Sequence, residues 1–337
     1  MSSLVNSVAV YGLSGLLGTF AGAAVSAVLF LGGQRWLLRC PPQSRQRLLL
    51  ALLACPALVG LALMVSMSMP TTLPASLFSD GNALAHCKSH PISHPALCQW
   101  HAPQILLPAW LTALVLLVFA GVVVAIVAGA IRMFAAGRRL RFMRRIARWQ
   151  PRDRYLLLPL RQPLAFAAGL VRGRAFVSAG LRAQLDRHAL NMVLAHEHAH
   201  IRHHDMLTAV IVNALAKMHL PWFGAAIRRQ WELAIEQRCD ETVVRQTGDR
   251  LVVADCLVEV ARAQQTSPSR SPGVNACHLL DDNLSARVTA LLAGPAAPRR
   301  MSALTLTALG VGSIAVVLMG GPYLHRLAEL LLPFASL

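Results

Sequence analysis

The sequence predicts an α-helical membrane protein in which four transmembrane helices carry an inserted α+β domain. Two observations predict this class. Of the 337 residues, 55% are hydrophobic and only 14% are charged, whereas soluble proteins carry about 25% charged residues. Thirteen of the fifteen acidic residues lie between Asp153 and Asp282, so one central segment has a soluble composition and its flanks resemble lipid-embedded chain. A single soluble domain is therefore excluded, and so is a disordered chain.

Four apolar segments contain no charged side chain over about 20 residues or more, which is enough for a helix to cross ~30 Å of hydrocarbon. They are residues 8–33, 48–69, 105–131 and 302–321. No Lys or Arg precedes the first, so we expect an anchor and not a cleavable signal peptide. The predicted organisation is a membrane region over residues 1–138, an inward domain over residues 139–300, and the fourth helix with a short outer tail over residues 301–337.

Arginine-rich loops predict the orientation of these helices. Four arginines lie between Arg35 and Arg47, after the first segment, and nine between Arg132 and Arg154, after the third. Positively charged loops face the cytoplasm, so we expect a cytoplasmic domain, both termini outside, and an outer loop over residues 71–104. The arginines adjoin the lipid bilayer, which favours contact with anionic lipid and predicts no direct nucleic-acid binding.

The predicted outer loop carries two cysteines. Cys87 and Cys98 would lie in a compartment where a disulfide persists, so they are a disulfide candidate. The other five cysteines fall in the membrane or inside, where thiols stay reduced. No CxxC pair occurs, which excludes a thiolate zinc ribbon. The four loop histidines, at positions 86, 90, 94 and 101, either bind a metal or are solvated.

Short strands followed by helices are predicted for the inward domain. Apolar runs between glycines and a proline predict strands over residues 155–160, 164–170 and 174–178. Helical spacing begins at Gln184 and continues beyond Ile201, and further helices are expected over residues 206–218, 225–246 and 251–264. A flexible loop is predicted for residues 265–277.

The first of these helices contains the motif HExxH, formed by His196, Glu197 and His200. On a helix the two histidines are about 40° apart, so both imidazoles can bind one Zn²⁺. Glu197 sits beside them, where it can accept a proton from water activated by the metal. The apolar run before the motif predicts a buried helix, in which these polar side chains would be costly without a metal. The motif therefore predicts a catalytic zinc site.

A third zinc ligand is expected from a later helix. The metzincin pattern requires Gly and His where this chain has His203 and Met206, so that class is excluded. Glu236 and Asp240 share a helical face; one can ligate zinc while the other orients a ligand imidazole. The alternative for Glu236 is a surface carboxylate paired with Arg238 or Arg229. Because catalytic zinc needs three protein ligands, HExxH favours Glu236 as the ligand.

The remaining polar residues around the motif have open roles. Asp205 either hydrogen-bonds a ligand histidine or caps the helix that begins at Met206. His198, His203 and His204 are predicted to be bystanders, with an oxyanion-stabilising role as the alternative for one of the latter two.

The segments HEHAHIRHHD at 196–205 and EQRCD at 236–240, with the Pro221 turn between them, resemble the BlaR/MecR-type antirepressor metallopeptidases. These are gluzincins in a four-helix membrane scaffold, and the resemblance extends over the three strands and the helix around Arg287. It implies a bacterial inner-membrane protein, a cytoplasmic repressor or the chain itself as substrate, and an outer-side sensor partner. It also implies substrate docking along a strand near residues 174–178, with His196, His200 and Glu236 as zinc ligands and Glu197 as general base.

One departure from this family concerns sensing. Its sensors carry a penicillin-binding domain after the last span, whereas this chain ends about fifteen residues beyond that span, so β-lactam sensing by this chain alone is not predicted. The sequence favours a signal-gated regulatory endopeptidase. The first alternative is an HtpX-like quality-control protease, which shares HExxH followed by an Asp and a downstream Glu. The second is a non-catalytic zinc-binding scaffold, which would be expected to have lost Glu197 or a ligand.

Overall fold

The computed structural model of the protein describes residues 2–68, 107–265 and 279–294. Three predictions lie outside the described residues: the outer loop over residues 71–104, its cysteines Cys87 and Cys98, and the fourth span over residues 302–321. The predicted flexible loop is also almost entirely outside them.

Among the described residues, three long helices are apolar enough to cross a membrane. They are α1 (Ser2–Leu38), α2 (Pro42–Ser68) and α3 (Ala109–Ile146), with candidate spans at Val8–Leu38, Pro42–Val65 and Ala109–Ile146. The helices α1 and α3 run well past the predicted apolar ends at residues 33 and 131. Arginine is a good helix former, so the charged segments that follow continue the helix instead of ending it.

The helices α1 and α2 form a tightly packed antiparallel pair. A Cβ atom on Gly18 would lie 2.9 Å from the Cα of Gly60, and one on Gly22 would lie 2.8 Å from the Cα of Pro56. Small residues at such positions allow the close backbone approach by which helices associate in lipid. The pair is therefore a compact membrane hairpin.

A four-stranded sheet follows α3, and one predicted feature of it is wrong. The strands are β1 (Arg148–Gln150), β2 (Tyr155–Leu158), β3 (Ala165–Ala168) and β4 (Arg174–Ser178), in the order β1-β2-β4-β3. The strand β4 pairs with β2 in parallel and with β3 antiparallel. With both sides hydrogen-bonded, β4 cannot be the docking edge that the resemblance implied. The edge strands are β1 and β3, and β3 is the one beside β4.

Six helices follow in the described part of the domain: α4 (Ala179–Gln184), α5 (Arg187–Arg202), α6 (Asp205–Ala216), α7 (Pro221–Thr247), α8 (Arg250–Gln265) and α9 (Leu279–Leu292). The Asp186 carboxylate caps α5 by accepting from the Ala189 amide at 2.6 Å. Helix α7 begins at Pro221, four residues before its predicted start, because proline suits the first helical position. It ends at Gly248, whose φ of 78° terminates the helix.

Two hydrophobic cores fix the position of α5 and α7. One packs the sheet against α5 and α8 around Tyr155, Val177 and Leu194. The other joins α1 and α2 to the domain, with Leu49 and Leu53 of α2 against buried side chains of α5, α6 and α7. The helices that carry the motif residues thus lie between the sheet and the membrane hairpin.

Candidate metal centre

Helix α5 presents the two motif histidines one turn apart on the same face. The Nε2 atoms of His196 and His200 lie 3.1 Å from each other, and both side chains are largely buried, with exposures of 13% and 14%. Two imidazole nitrogens that point at a common position are the arrangement by which a helix binds one metal ion.

Helix α7 brings a carboxylate to the same position. Glu236 lies with one oxygen 3.2 Å from His196 Nε2 and the other 3.6 Å from His200 Nε2. Three ligand atoms each about 2.0–2.2 Å from one ion are separated by distances of this size. The side chains of His196, His200 and Glu236 therefore fit a divalent cation. The surface pairing of Glu236 with Arg229 or Arg238 does not occur.

An aspartate lies behind each histidine. Asp205 Oδ2 lies 2.8 Å from His200 Nδ1, and Asp240 Oδ1 lies 3.1 Å from His196 Nδ1. The second contact is electrostatic and not an aligned hydrogen bond, since His196 Nδ1 has no hydrogen-bond partner of good geometry. A carboxylate at Nδ1 leaves Nε2 free to bind a metal.

A strained turn brings Asp205 to His200. His204 adopts a left-handed backbone with a φ of 54°, which reverses the chain between α5 and α6. Asp205 is the first residue of α6 and contacts His200, so the structure selects the hydrogen bond over the capping role.

Two buried arginines hold the aspartates in turn. Arg287 donates from Nε and Nη2 to the two oxygens of Asp240 at 2.8 and 2.6 Å, and its Nη1 lies 3.2 Å from Glu236. Arg238 donates to Asp205 at 2.5 Å and to Gln46 Oε1 of α2 at 2.7 Å. The result is two His–Asp–Arg relays, one behind each histidine.

Sequence reasoning did not find the roles of these arginines. Arg287 had one available signal, because it is the single basic residue in the sequence of α9. For Arg238 the sequence suggests only a pairing with Glu236.

Electrostatics in the relays favour a bound cation. Burial alone would raise the pKa of Glu236 and of Asp240, but Arg287 and the histidines hold the pKa of both carboxyls below their usual values. Burial likewise opposes ionisation of Asp205, and His200 and Arg238 lower its pKa. Burial would lower the pKa of His196, yet Asp240 and Glu236 outweigh it and raise that pKa to about 10. The imidazoles thus sit in a field that strongly favours positive charge.

A count of formal charges also favours a bound cation. The two relays, Glu197 and Glu236 together contain four carboxylates and two guanidinium groups. With neutral imidazoles the site carries a formal charge of −2, which one divalent cation would neutralise.

A second set of possible ligands lies on the other side of His200. It consists of His200, Asp205 and Cys239, with Cys239 Sγ 3.5 Å from His200 Nδ1. Asp205 is already paired with Arg238, and His200 Nδ1 is already paired with Asp205. The Nε2 side, where His196 and Glu236 converge, is therefore the better metal position.

A cleft of about 790 Å³ opens onto this position. Glu197 lines it beside the two histidines, and Ala165, Phe166 and Ala167 of β3 line it as well. The predicted bystanders do not belong to its lining: His198 contacts the Arg154 carbonyl at 3.3 Å, and His203 and His204 are exposed elsewhere. Neither histidine of the turn is placed to stabilise an oxyanion in this cleft.

The backbone of β3 faces outward at its free edge. The Ser178 amide donates to the Leu164 carbonyl at 2.9 Å, which makes residues 164 and 178 a hydrogen-bonded pair. Pairs alternate along an antiparallel ladder, so Ala165 and Ala167 direct their N–H and C=O groups away from β4. These groups can hydrogen-bond an extended peptide in the cleft.

Comparison with known proteins agrees with this geometry. Residues 138–305 match the sequence model of peptidase family M48. Similar relatives are protease HtpX homologues, at 43% identity over 68 residues in Aquifex aeolicus and 41% over 68 residues in Salinibacter ruber. A third, in Campylobacter curvus, is 39% identical over 83 residues.

These alignments are partial. They cover 20%, 20% and 23% of this chain and 22%, 25% and 29% of the respective relatives, so the matches span about a quarter of the relatives' length. No solved structure matches the chain.

A buried HExxH helix and a converging glutamate, in a chain with long apolar helices, are the features expected of a membrane metallopeptidase. The match to peptidase family M48 covers 168 of the 337 residues, just under half of the chain, and it includes both helices that carry the converging residues. These relatives are HtpX homologues, and the resemblance to the BlaR/MecR-type group specifically is not confirmed.

Proposed function

We propose that this chain is an integral membrane zinc endopeptidase. The observation that carries the proposal is the convergence of His196, His200 and Glu236 on one position in a cleft that Glu197 also lines. Two nitrogens and one carboxylate are a catalytic zinc set that leaves a coordination position open. Peptidases of family M48 typically use zinc, which supports the same metal.

Each residue then has a defined part in peptide hydrolysis. A zinc ion held by His196, His200 and Glu236 would supply Lewis-acid polarisation and would lower the pKa of a water molecule. Glu197 accepts the proton of that water and returns it to the leaving amine. Asp205 and Asp240 orient the imidazoles, and the outward groups of β3 hold the substrate backbone in an extended conformation.

The substitution Glu197→Gln tests this mechanism. It removes the base and leaves the ligands, so hydrolysis of an unfolded protein should be lost while zinc remains bound. The matched control is Glu241→Gln, because Glu241 pairs with Arg250 outside the cleft. Removal of zinc with a chelator should abolish activity, and added zinc should restore it. Proteolysis retained by the Glu197→Gln variant, with its zinc content confirmed, would contradict the assignment.

Two physiological roles are proposed for the same site. The similarity to HtpX homologues favours quality control, in which many unfolded membrane proteins are cleaved. The anchoring of the domain on α1 and α2 favours a signal-gated regulator, in which a cue reaches the site through helix movement and one repressor, or the chain itself, is cleaved. Cleavage products in cells with and without Glu197 distinguish the roles: many fragments for the first, one defined fragment for the second.

The proposed location is the bacterial inner membrane, with the domain in the cytoplasm and both termini outside. Long apolar helices and the similarity to HtpX homologues support a membrane location, and the arginine-rich loops support the orientation. Reporter fusions after residue 42 should report the cytoplasm, and fusions after residue 90 the outer side.

A further inference from the structure

The turn between α6 and α7 carries an apolar surface that no other described residue covers. Leu207, Val210 and Ile211 are 42%, 43% and 46% exposed, and their i, i+3, i+4 spacing puts them on one face of α6. Met218, Leu220 and Trp222 extend the surface through the turn and are 40%, 48% and 66% exposed. These six residues are called the hairpin patch.

His219, in the same turn, fixes the height of the patch relative to the membrane helices. Its side chain is buried, with Nδ1 3.2 Å from Ser26 Oγ of α1. Nε2 lies 3.3 Å from the carbonyl oxygen of Leu53 in α2, and donates to it because a carbonyl only accepts. The turn thus contacts two candidate spans within their apolar stretches.

The depth of these contacts follows from helix geometry. Leu53 lies six residues beyond Arg47, the last charged residue before the apolar run of α2, which is about 9 Å at 1.5 Å per residue. Ser26 lies nine residues before Arg35 in α1, which is about 13 Å. Half of the hydrocarbon core is roughly 15 Å thick, so both contacts fall within one leaflet.

We propose that the hairpin patch is embedded in the bilayer leaflet nearest the peptidase domain, with lipid acyl chains covering it. The helix α6 has 12 residues, too few to cross the membrane, but its backbone is internally hydrogen-bonded and tolerates lipid. Lys217 is exposed beside the patch, and a lysine at this depth can extend its ammonium group toward the interface along its apolar stem. The helix α1 continues the apolar surface, since Val25 and Leu29 beside Ser26 are also exposed.

The embedding of the hairpin patch also determines where the cleft opens relative to the membrane. Met206, Ala209 and Asn213 line the cleft, and they lie on the same short helix as the patch. If the cleft is the active site of the proposed function, its substrates are polypeptide segments at the membrane surface. The embedding itself depends only on α1 and α2 being spans, so it stands or falls separately from catalysis.

Photocrosslinking in the full chain, within native membranes, tests the embedding. The photoreactive residue p-benzoylphenylalanine replaces Ile211, and mass spectrometry identifies what it captures. Phe20, which is 68% exposed on α1, is the positive control for lipid, and Val171, 78% exposed in the turn between β3 and β4, is the negative control. We expect a lipid adduct at positions 211 and 20 and no lipid adduct at position 171.

Other captured partners would overturn the proposal. An adduct with residues 295–337 would assign the patch to the chain's own last segment, and an adduct between two copies would assign it to a dimer. The absence of a lipid adduct at 211, while position 20 gives one, would place the patch in water. The same substitution at Leu207, one turn away, should repeat the result and guards against a local defect at 211.

Discussion

Replacement of Arg287 by Met removes the cation that holds one side of the metal site. Arg287 and Asp240 are only 3% and 2% exposed, and Arg287 contacts both oxygens of Asp240 as well as Glu236. Breaking a buried ion pair by removing one partner costs about 3–5 kcal/mol, because the other charge stays buried and unpaired. In a domain of this size each kcal/mol lowers the melting temperature by about 2–4 °C, so Arg287→Met should lower it by roughly 6–20 °C.

The assay is thermal unfolding of the full chain in lipid nanodiscs at a fixed scan rate, since unfolding of such proteins is often irreversible. Arg287→Lys keeps the charge but loses the two-point contact and should cost less. Asp240→Asn removes the stranded charge, so the double variant Asp240→Asn with Arg287→Met should lose less stability than the sum of the two single variants. A shift for Arg287→Met below about 2 °C, or simple additivity, would refute the buried-pair reasoning.

Two further predictions concern the other relay and the sheet edge. Arg238→Met should weaken zinc binding by roughly 10–100-fold, as loss of an outer-shell partner does, because Asp205 loses its cation. Competition with a chromophoric chelator measures the zinc affinity, and an unchanged affinity would contradict the relay. Ala167→Pro should lower kcat/KM for protein substrates by roughly 2–12-fold, the worth of one hydrogen bond, because it removes an outward N–H without breaking a bond to β4. Its zinc content should be normal, and an unchanged kcat/KM would mean that the substrate does not dock on β3.

Local spacing in the sequence predicted which helix faces meet at the candidate metal centre. His196 and His200 share a face because they are four residues apart on one helix, and the same rule paired Glu236 with Asp240. Apolar periodicity also placed α7 at residues 225–246, close to the observed Pro221–Thr247. These features depend on residues within one or two helical turns of each other.

The features that sequence reasoning missed depend on distant residues. Arg287 reaches Asp240 from 47 positions away, and Arg238 reaches Gln46 from 192 positions away; no local pattern marks such partners. The strand β1 was missed because three exposed or half-exposed residues show no alternation. The docking edge was misplaced because β4, the last strand in the part of the chain that the structure describes, lies in the interior of the sheet.

Helix α7 connects the metal position to the membrane hairpin through its two faces. One face carries Glu236 and Asp240 toward His196. The other carries Gln237 and Arg238, which hydrogen-bond Arg45 and Gln46 of α2. The Arg238 guanidinium therefore contacts both α2 and the relay behind His200, because it also donates to Asp205.

This shared guanidinium gives a physical route by which α2 can influence the site. Helix shifts of about 1–2 Å are common in switching proteins, and such a shift of α2 relative to α7 would lengthen either the contact to Gln46 or the 2.5 Å contact to Asp205. Asp205 fixes which nitrogen of His200 faces the metal position. A longer contact between Arg238 and Asp205 would therefore loosen the ligand His200. In a signal-gated enzyme, Gln46→Ala should therefore make activity independent of the activating signal. In a constitutive protease the same contact only stabilises the position of the domain, so its loss should change the turnover of all substrates by the same factor.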